Sequence, residues 1–151
     1  MAKLKIRTVG DDCLRKVCRP VEEITPRLLT LLDDMTETMR AADGVGLAAP
    51  QVGILRRIVV IEVEEGDVIE LINPEIIATA GEQVGPEGCL SVPNRRGTVK
   101  RPKHVTVRAM NRKGELFEMS GSDLLARALC HELDHLDGKL YVDRATNMEG
   151  D

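Results

Sequence analysis

Residues 124–138 read Leu124-Leu125-Ala126-Arg127-Ala128-Leu129-Cys130-His131-Glu132-Leu133-Asp134-His135-Leu136-Asp137-Gly138. Leu125, Leu129, Leu133 and Leu136 recur at the intervals that put side chains on one face of an α-helix, so this segment must pack against the rest of the chain. Ser120 or Ser122 offers a hydroxyl to cap the first turn, and Gly138 offers a stop, which predicts a helix through about Leu136. His131 and His135 stand four residues apart, so their imidazoles emerge on one side of the helix about a turn apart, where both can hold one cation. Glu132 lies beside them, close enough to handle a proton of a water on that cation. Leu124 and Ala128 share the histidine face. A five-residue H-E-x-x-H string also arises by chance on solvated helices, but here it sits on a helix that has to pack.

A catalytic cation of this kind takes three protein ligands and keeps one position open. One protease layout follows the second histidine with a glycine and a third histidine; Gly138 is in place, but Tyr141 stands where that histidine belongs. Another layout draws its third ligand from a later helix, for which too little chain follows His135. The third ligand is therefore expected upstream, and Pro86-Glu87-Gly88-Cys89-Leu90-Ser91 is the best source, because glycine lets the backbone approach closely and a thiolate binds such metals well. Cys130 adjoins His131 but is turned a quarter-circle or more around the helix, given ~3.6 residues per turn. It reads as a buried small residue, as do Cys13 and Cys18, and His104 reads as a surface histidine.

Working outward, Thr25-Pro26 is a helix start, a capping hydroxyl followed by a proline at the first position. Leu28, Leu32, Met35 and Met39 continue it at helical spacing, and Gly44 fits a left-handed stop. Before it, residues 1–23 read as an arm with one short helical turn. Between the helices, β-rich runs at Ile58 to Val63, Val68 to Ile72, around Val99 and at His104 to Arg108 are separated by Gly, Pro and Asn. Asn111 to Gly114 reads as a hairpin turn into Glu115 to Met119. The pattern predicts one α+β domain over residues 1–151: a strand-rich core packed around the C-terminal H-E-x-x-H helix, with one long N-terminal helix.

Composition agrees with a globular domain whose core is aliphatic, since the chain holds 42% hydrophobic and 30% charged residues but a single Tyr and a single Phe. A formal net charge of −4 argues against direct nucleic-acid binding, which draws on surplus Lys and Arg. No run approaches a membrane-spanning length and the start lacks the apolar stretch of a signal peptide, so a cytoplasmic protein with reduced cysteines is expected.

Three segments together resemble the peptide deformylase family: Gly44-Val45-Gly46-Leu47-Ala48-Ala49-Pro50-Gln51, Glu87-Gly88-Cys89-Leu90-Ser91 and His131-Glu132-Leu133-Asp134-His135-Leu136. They occur in order at fitting separations. Leu14-Arg15-Lys16 and Pro20-Val21-Glu22-Glu23-Ile24 resemble the family's opening, so the likeness covers nearly the whole chain. Asp12 and Cys13 stand where a Pro and an apolar residue are usual, and Cys130 replaces a frequent Gln; none touches an expected ligand.

The resemblance implies hydrolysis of the N-formyl group from the N-terminal formylmethionine of newly made polypeptides, releasing formate. It implies a metal held by Cys89, His131 and His135, with Glu132 exchanging the proton of the attacking water. Gln51 and the Leu90 backbone N–H would donate to the carbonyl oxygen. Val45, Gly46, Glu87, Leu124 and Ala128 are the expected substrate contacts, with Val45, Leu124 and Ala128 around the methionine side chain. Fe(II) is the expected metal, with Zn(II), Ni(II) or Co(II) as replacements, and activity should be oxygen-sensitive. The expected partners are N-formylmethionyl nascent chains, with transient ribosome contact that does not use the long C-terminal extension of some members. A peptidase or other acyl hydrolase, and a module with a structural metal, are the rival readings.

Overall fold

The computed structural model describes residues 3–150. Thr25 opens helix α1 (Pro26–Ala41) as its chemistry dictates: its hydroxyl accepts the Leu28 amide at 3.2 Å, and Pro26 fills the first turn. The exit departs from expectation. Asp43, not Gly44, takes the left-handed conformation at φ 57°. The amides of Asp43 and Gly44 then return to the carbonyls of Arg40 and Met39 at 3.1 and 3.0 Å, which closes the last turn. Gly44 instead leaves room for Leu90, whose Cδ1 would have to move from a Cβ built 2.7 Å away.

Strands are numbered in chain order. β1 (Gly46–Ala48), β2 (Ile58–Ile61), β3 (Ile69–Ala80), β6 (His104–Met110) and β7 (Leu116–Ser122) pair antiparallel, in that spatial order, in a five-stranded sheet. β4 (Gln83–Cys89), β5 (Val92–Arg101) and β8 (Thr146–Gly150) make a second, three-stranded sheet in the order β4-β5-β8. The apolar run of β2 is buried at every position because helices cover both of its faces. Alternate side chains of a strand point to opposite faces. Ile58 and Val60 accordingly pack with Leu28, Leu32, Met35 and Met39 of α1, whereas Val59 and Ile61 pack with Leu129, Leu133 and Leu136 of the second helix.

That second helix, α2 (Leu124–Leu136), begins differently from the serine cap predicted for it. Ser120 and Ser122 end β7, and their hydroxyls face β6, with Thr106 Oγ1 and His104 Nδ1 each 2.7 Å away. Asp123 makes the turn from strand to helix in one residue at φ 55° and gives no side-chain cap. The hairpin at Asn111 to Gly114 forms as expected, with Gly114 at φ 79° and the Asn111 amide on the Glu115 carbonyl at 3.0 Å.

The arm contains its short turn, a 3-10 segment at Asp12–Arg15 capped by Asp11; Met1 and Ala2 of the arm lie outside the described residues. It clasps three distant parts of the fold, the 3-10 turn at Ala49–Val52, the turn between β4 and β5, and the end of the second helix: Arg7 N–H donates to the Gln51 carbonyl at 2.7 Å, Val9 N–H to that of Ser91 at 2.8 Å and Cys18 N–H to that of Leu136 at 2.8 Å. Among the described residues no helix is long and apolar enough to cross a membrane.

Gly138 ends α2 at φ 73°, and a Cβ there would meet the Arg15 carbonyl oxygen at 2.5 Å. Gly66 has a similar φ of 85° with open space around it. Gly66→Ala should therefore cost only the left-handed backbone penalty, about 1–2 kcal/mol. Gly138→Ala should cost more, because the backbone of the arm has to shift as well. Urea unfolding of the two variants checks the order, and equal losses would refute the clash.

Candidate metal centre

β4 ends at Cys89 after an irregularity in its pairing with β5 between Glu87 and Cys89, the kind of bulge that re-aims a side chain beside a functional site. This delivers the thiol to the histidine face of α2. One ligand atom from each of Cys89, His131 and His135 lies within 4.8 Å of the other two, and Cys89 Sγ is 3.4 Å from His135 Nε2. Both rings are buried and the cysteine is half-buried. Of the upstream segment, Cys89 is the residue whose ligand atom reaches the two histidines.

The rings are prepared for a cation in different ways. His131 Nδ1 is 2.9 Å from Glu87 Oε1. A carboxylate only accepts, so Nδ1 carries the proton and Nε2 is left for another partner. Burial works against charge on this ring, but hydrogen bonds with Cys89 and Glu87 outweigh it and raise His131 to about 10. Surroundings that favour a positive charge there suit a metal ion. Burial holds His135 well below the usual histidine range, in the neutral form a ligand needs. The donor set of one sulfur and two imidazoles fits zinc or ferrous iron.

Glu87 lies at the centre of a buried charge network. Arg101 of β5 grips it with Nε on Oε2 at 2.8 Å and Nη2 on Oε1 at 3.0 Å, and Arg127 of α2 reaches Oε2 as well. Burial raises the Glu87 carboxyl, yet its hydrogen bonds with His131 and Arg101 prevail and bring it down to about 2. Arg101 also donates to Asp134 at 2.8 Å, and Asp134 accepts from Arg144 at 2.9 Å. Glu87 lines the cleft, but its carboxylate is committed to these partners. The residue expected among the substrate contacts thus bonds to His131 from the cleft wall.

Glu132 faces the other way, and its carboxylate comes against β1. A Cβ at Gly46 would sit 2.5 Å from Glu132 Oε2, so the glycine makes room for the acid. Glu132 Oε1 is buried without a hydrogen-bond partner among the described residues, and burial raises the carboxyl to about 7. Gln51, in a 3-10 turn at Ala49–Val52, is held at both ends of its amide. Its Oε1 accepts the Ala48 N–H at 2.9 Å, while Nε2 donates to Ser91 Oγ at 3.0 Å and points to Cys89 Sγ at 3.5 Å.

These residues border a cleft of about 750 Å³. Val45, Leu90, Leu124 and Ala128 give it an apolar wall, and Val45 and Leu124 are exposed in it. All eleven candidates from the sequence, Val45, Gly46, Gln51, Glu87, Cys89, Leu90, Leu124, Ala128, His131, Glu132 and His135, therefore gather around one centre; all but His135, which is buried behind Cys89, line the cleft. Cys130 is buried in the core as expected. Sequence reasoning missed Ser91, Arg101 and Arg127. A buried arginine announces itself only through a partner carboxylate, and the pairing spans strands that were not anticipated.

Glu87→Ala would leave Arg101 and Arg127 buried beside one another without their shared anion. A stability loss of about 3–5 kcal/mol is expected in chemical denaturation, with metal affinity down about 10–100-fold. Arg144→Ala, at the exposed end of the same network, should cost under ~1 kcal/mol. A Glu87→Ala protein as stable as Arg144→Ala would contradict the arrangement.

The family model for polypeptide deformylase matches residues 3–151. Peptide deformylase 1 of Clostridium acetobutylicum is 59% identical over 150 residues, 99% of either chain. The peptide deformylase of Alkaliphilus metalliredigens is 60% identical over 144 residues, 95% of this chain and 97% of the relative. Among solved structures, a peptide deformylase from Legionella pneumophila superposes with a TM-score of 0.93 at 46% identity, covering 96% of this chain and 87% of that one. One from Synechococcus elongatus, in complex with actinonin, gives 0.92 at 41% identity over 95% and 79% of the two chains. A likeness that runs the length of the sequence and extends to the fold has one explanation in common descent: this chain belongs to the polypeptide deformylase family.

Proposed function

We infer that the chain is a metal-dependent peptide deformylase, one catalytic domain that hydrolyses the N-formyl group of formylmethionyl polypeptides. The observation that carries the reading is the convergence of Cys89, His131 and His135 beside a buried, unpartnered Glu132 oxygen at the edge of an apolar cleft. A divalent cation, when bound by those three ligands, supplies Lewis acidity and lowers the pKa of water.

Glu132 accepts a proton from the water that attacks the formyl carbon and returns it to the leaving amine. The C–O bond forms, the C–N bond breaks, and formate and a free N-terminus result. Charge that develops on the formyl oxygen needs donors fixed in advance. The Gln51 side-chain amide, held by Ser91 at Nε2 and by Ala48 at Oε1, and the Leu90 backbone N–H fill that role. Glu87 keeps the proton on His131 Nδ1 and so keeps Nε2 aimed at the cation.

The peptide fits between two open strand edges. β1 is the last strand of the larger sheet and β4 the last of the smaller one, and Gly46 and Gly88 on those strands both line the cleft. An extended chain can add its backbone hydrogen bonds there, with the methionine side chain against Val45, Leu124 and Ala128. Fe(II) is the working metal in this reading, with Zn(II), Ni(II) or Co(II) able to replace it, and oxygen inactivates the enzyme through the iron and the thiolate. Nascent chains as substrate place the enzyme in the cytoplasm in transient contact with the ribosome, and the net charge of −4 speaks against direct nucleic-acid binding.

Anaerobically purified protein should release formate from formyl-Met-Ala-Ser and leave acetylated and unblocked peptides intact. Activity confined to the latter two would indicate a peptidase or another acyl hydrolase, and stoichiometric metal without any hydrolysis a structural centre. Glu132→Ala should keep its metal and lose about 10²–10⁴-fold in kcat/KM, whereas Cys89→Ala and His135→Ala should lose the metal itself by elemental analysis. Gly46→Ala should lower turnover with metal content unchanged, since the new methyl displaces Glu132. Undiminished turnover in Glu132→Ala would refute its assignment.

A further inference from the structure

Tyr141 follows α2 in a 3-10 turn at Tyr141–Asp143 and is only 1% exposed. Its ring stacks on His131, with centroids 6.0 Å apart and planes at 26°. It also fills the small core of the three-stranded sheet with Val92 and Val99, against which Cys89 packs. One flat ring thus touches a helix-borne ligand and belongs to the cluster around the strand-borne one. The tyrosine hydroxyl makes no hydrogen bond among the described residues, so contact through the ring face is what the site receives from it.

That contact supplies something the Glu87 hydrogen bond does not. A bond at Nδ1 fixes where one atom of the imidazole lies and leaves the ring able to tilt about it. Tilt moves Nε2, the atom turned toward the other ligands. A second ring laid against the face at stacking distance removes the tilt. His135 meets the same imidazole edge-on at 5.1 Å and 68°, and so gives it no second flat support.

We propose that Tyr141 is a positioning residue for the metal centre: its ring, and not its hydroxyl, sets the plane of His131 and with it the geometry and affinity of the cation site. The proposal rests on the reading of Cys89, His131 and His135 as ligands. It predicts that any flat ring at position 141 serves and that an aliphatic side chain of similar bulk does not.

The test loads metal-free wild type, Tyr141→Phe, Tyr141→Leu and Tyr141→Met with Co(II), under exclusion of oxygen, and reads three quantities: the dissociation constant by chelator competition, the visible absorption of bound Co(II), and the melting temperature of the metal-free protein. Tyr141→Phe should match wild type in affinity and spectrum. Tyr141→Leu and Tyr141→Met should bind Co(II) about tenfold or more weakly, with a shifted spectrum, while melting near wild type without metal. Methionine is included because its flexible thioether can refill the space if leucine unfolds the protein. Wild-type affinity and spectrum in either folded aliphatic variant would overturn the proposal. Failure of both to fold would overturn it too, by making the ring a general core element. Wild type that takes up no Co(II) would instead sink the ligand assignment beneath it.

Discussion

The buried carboxylate of Glu87 is the interaction on which the rest of the molecule depends. Two of the three candidate ligands ride on one helix and are aligned by its pitch, but the third arrives on a strand of the smaller sheet, and something has to hold sheet and helix in register. Glu87 on β4 does so by meeting Arg101 on β5, Arg127 on α2 and the imidazole of His131 at once. Burying a charge is costly unless it is paired and its hydrogen-bonding capacity is filled. Here two cations and a ring N–H fill it, and Asp134 and Arg144 carry the pairing outward to solvent. The network is a poor source of stability for its size, and a strict one: it tolerates a single placement of β4 against α2.

Apolar packing provides the frame in which that placement is reached. β2 separates two aliphatic clusters, one under α1 and one under α2, and its unbroken Ile-Val-Val-Ile run is what a strand covered on both faces requires. The three-stranded sheet has a much smaller core around Val92, Val99 and Tyr141. It therefore relies on charge pairing and on the N-terminal arm for its attachment. Cys89 sits at the seam between the two regimes, where a ligand from each can face the same point.

What was legible in the sequence follows the same division. The helices were legible because their stripes are long and periodic, and β2, β6 and the Asn111 turn because β-branched runs and a left-handed glycine mark them. β1, β4, much of β5 and β8 were not. Gly-Leu-Ala is too short to show a period, Gln83 to Cys89 is rich in glycine and proline, and β8 is a mostly exposed strand whose partner alone defines it. His131, His135 and Glu132 stood out from motif spacing, since local chemistry links them, and Cys89 from the family resemblance of its segment. Their supports were not, because Ser91, Arg101, Arg127 and the cleared space at Gly46 acquire meaning only when segments far apart in the chain meet. The start of α2 and the exit of α1 failed for a related reason: Ser120 and Ser122 look like caps until β6 claims their hydroxyls, and Asp43 takes a conformation that sequence alone would have given to Gly44.

The clasp of the arm has a temporal side. Residues near the start of the chain bond to Gln51 and Ser91 in the middle and to Leu136 at the far end of α2. Made from one end to the other, the polypeptide produces its opening segment first, two of its anchors midway and the third, Leu136, late. Long loops must be closed before such pairings stabilise anything, which slows assembly. The Cys18 end of the arm thus waits for the same helix that carries His131 and His135 to Cys89, so a chain cut short of that helix lacks both the last clasp and the cluster.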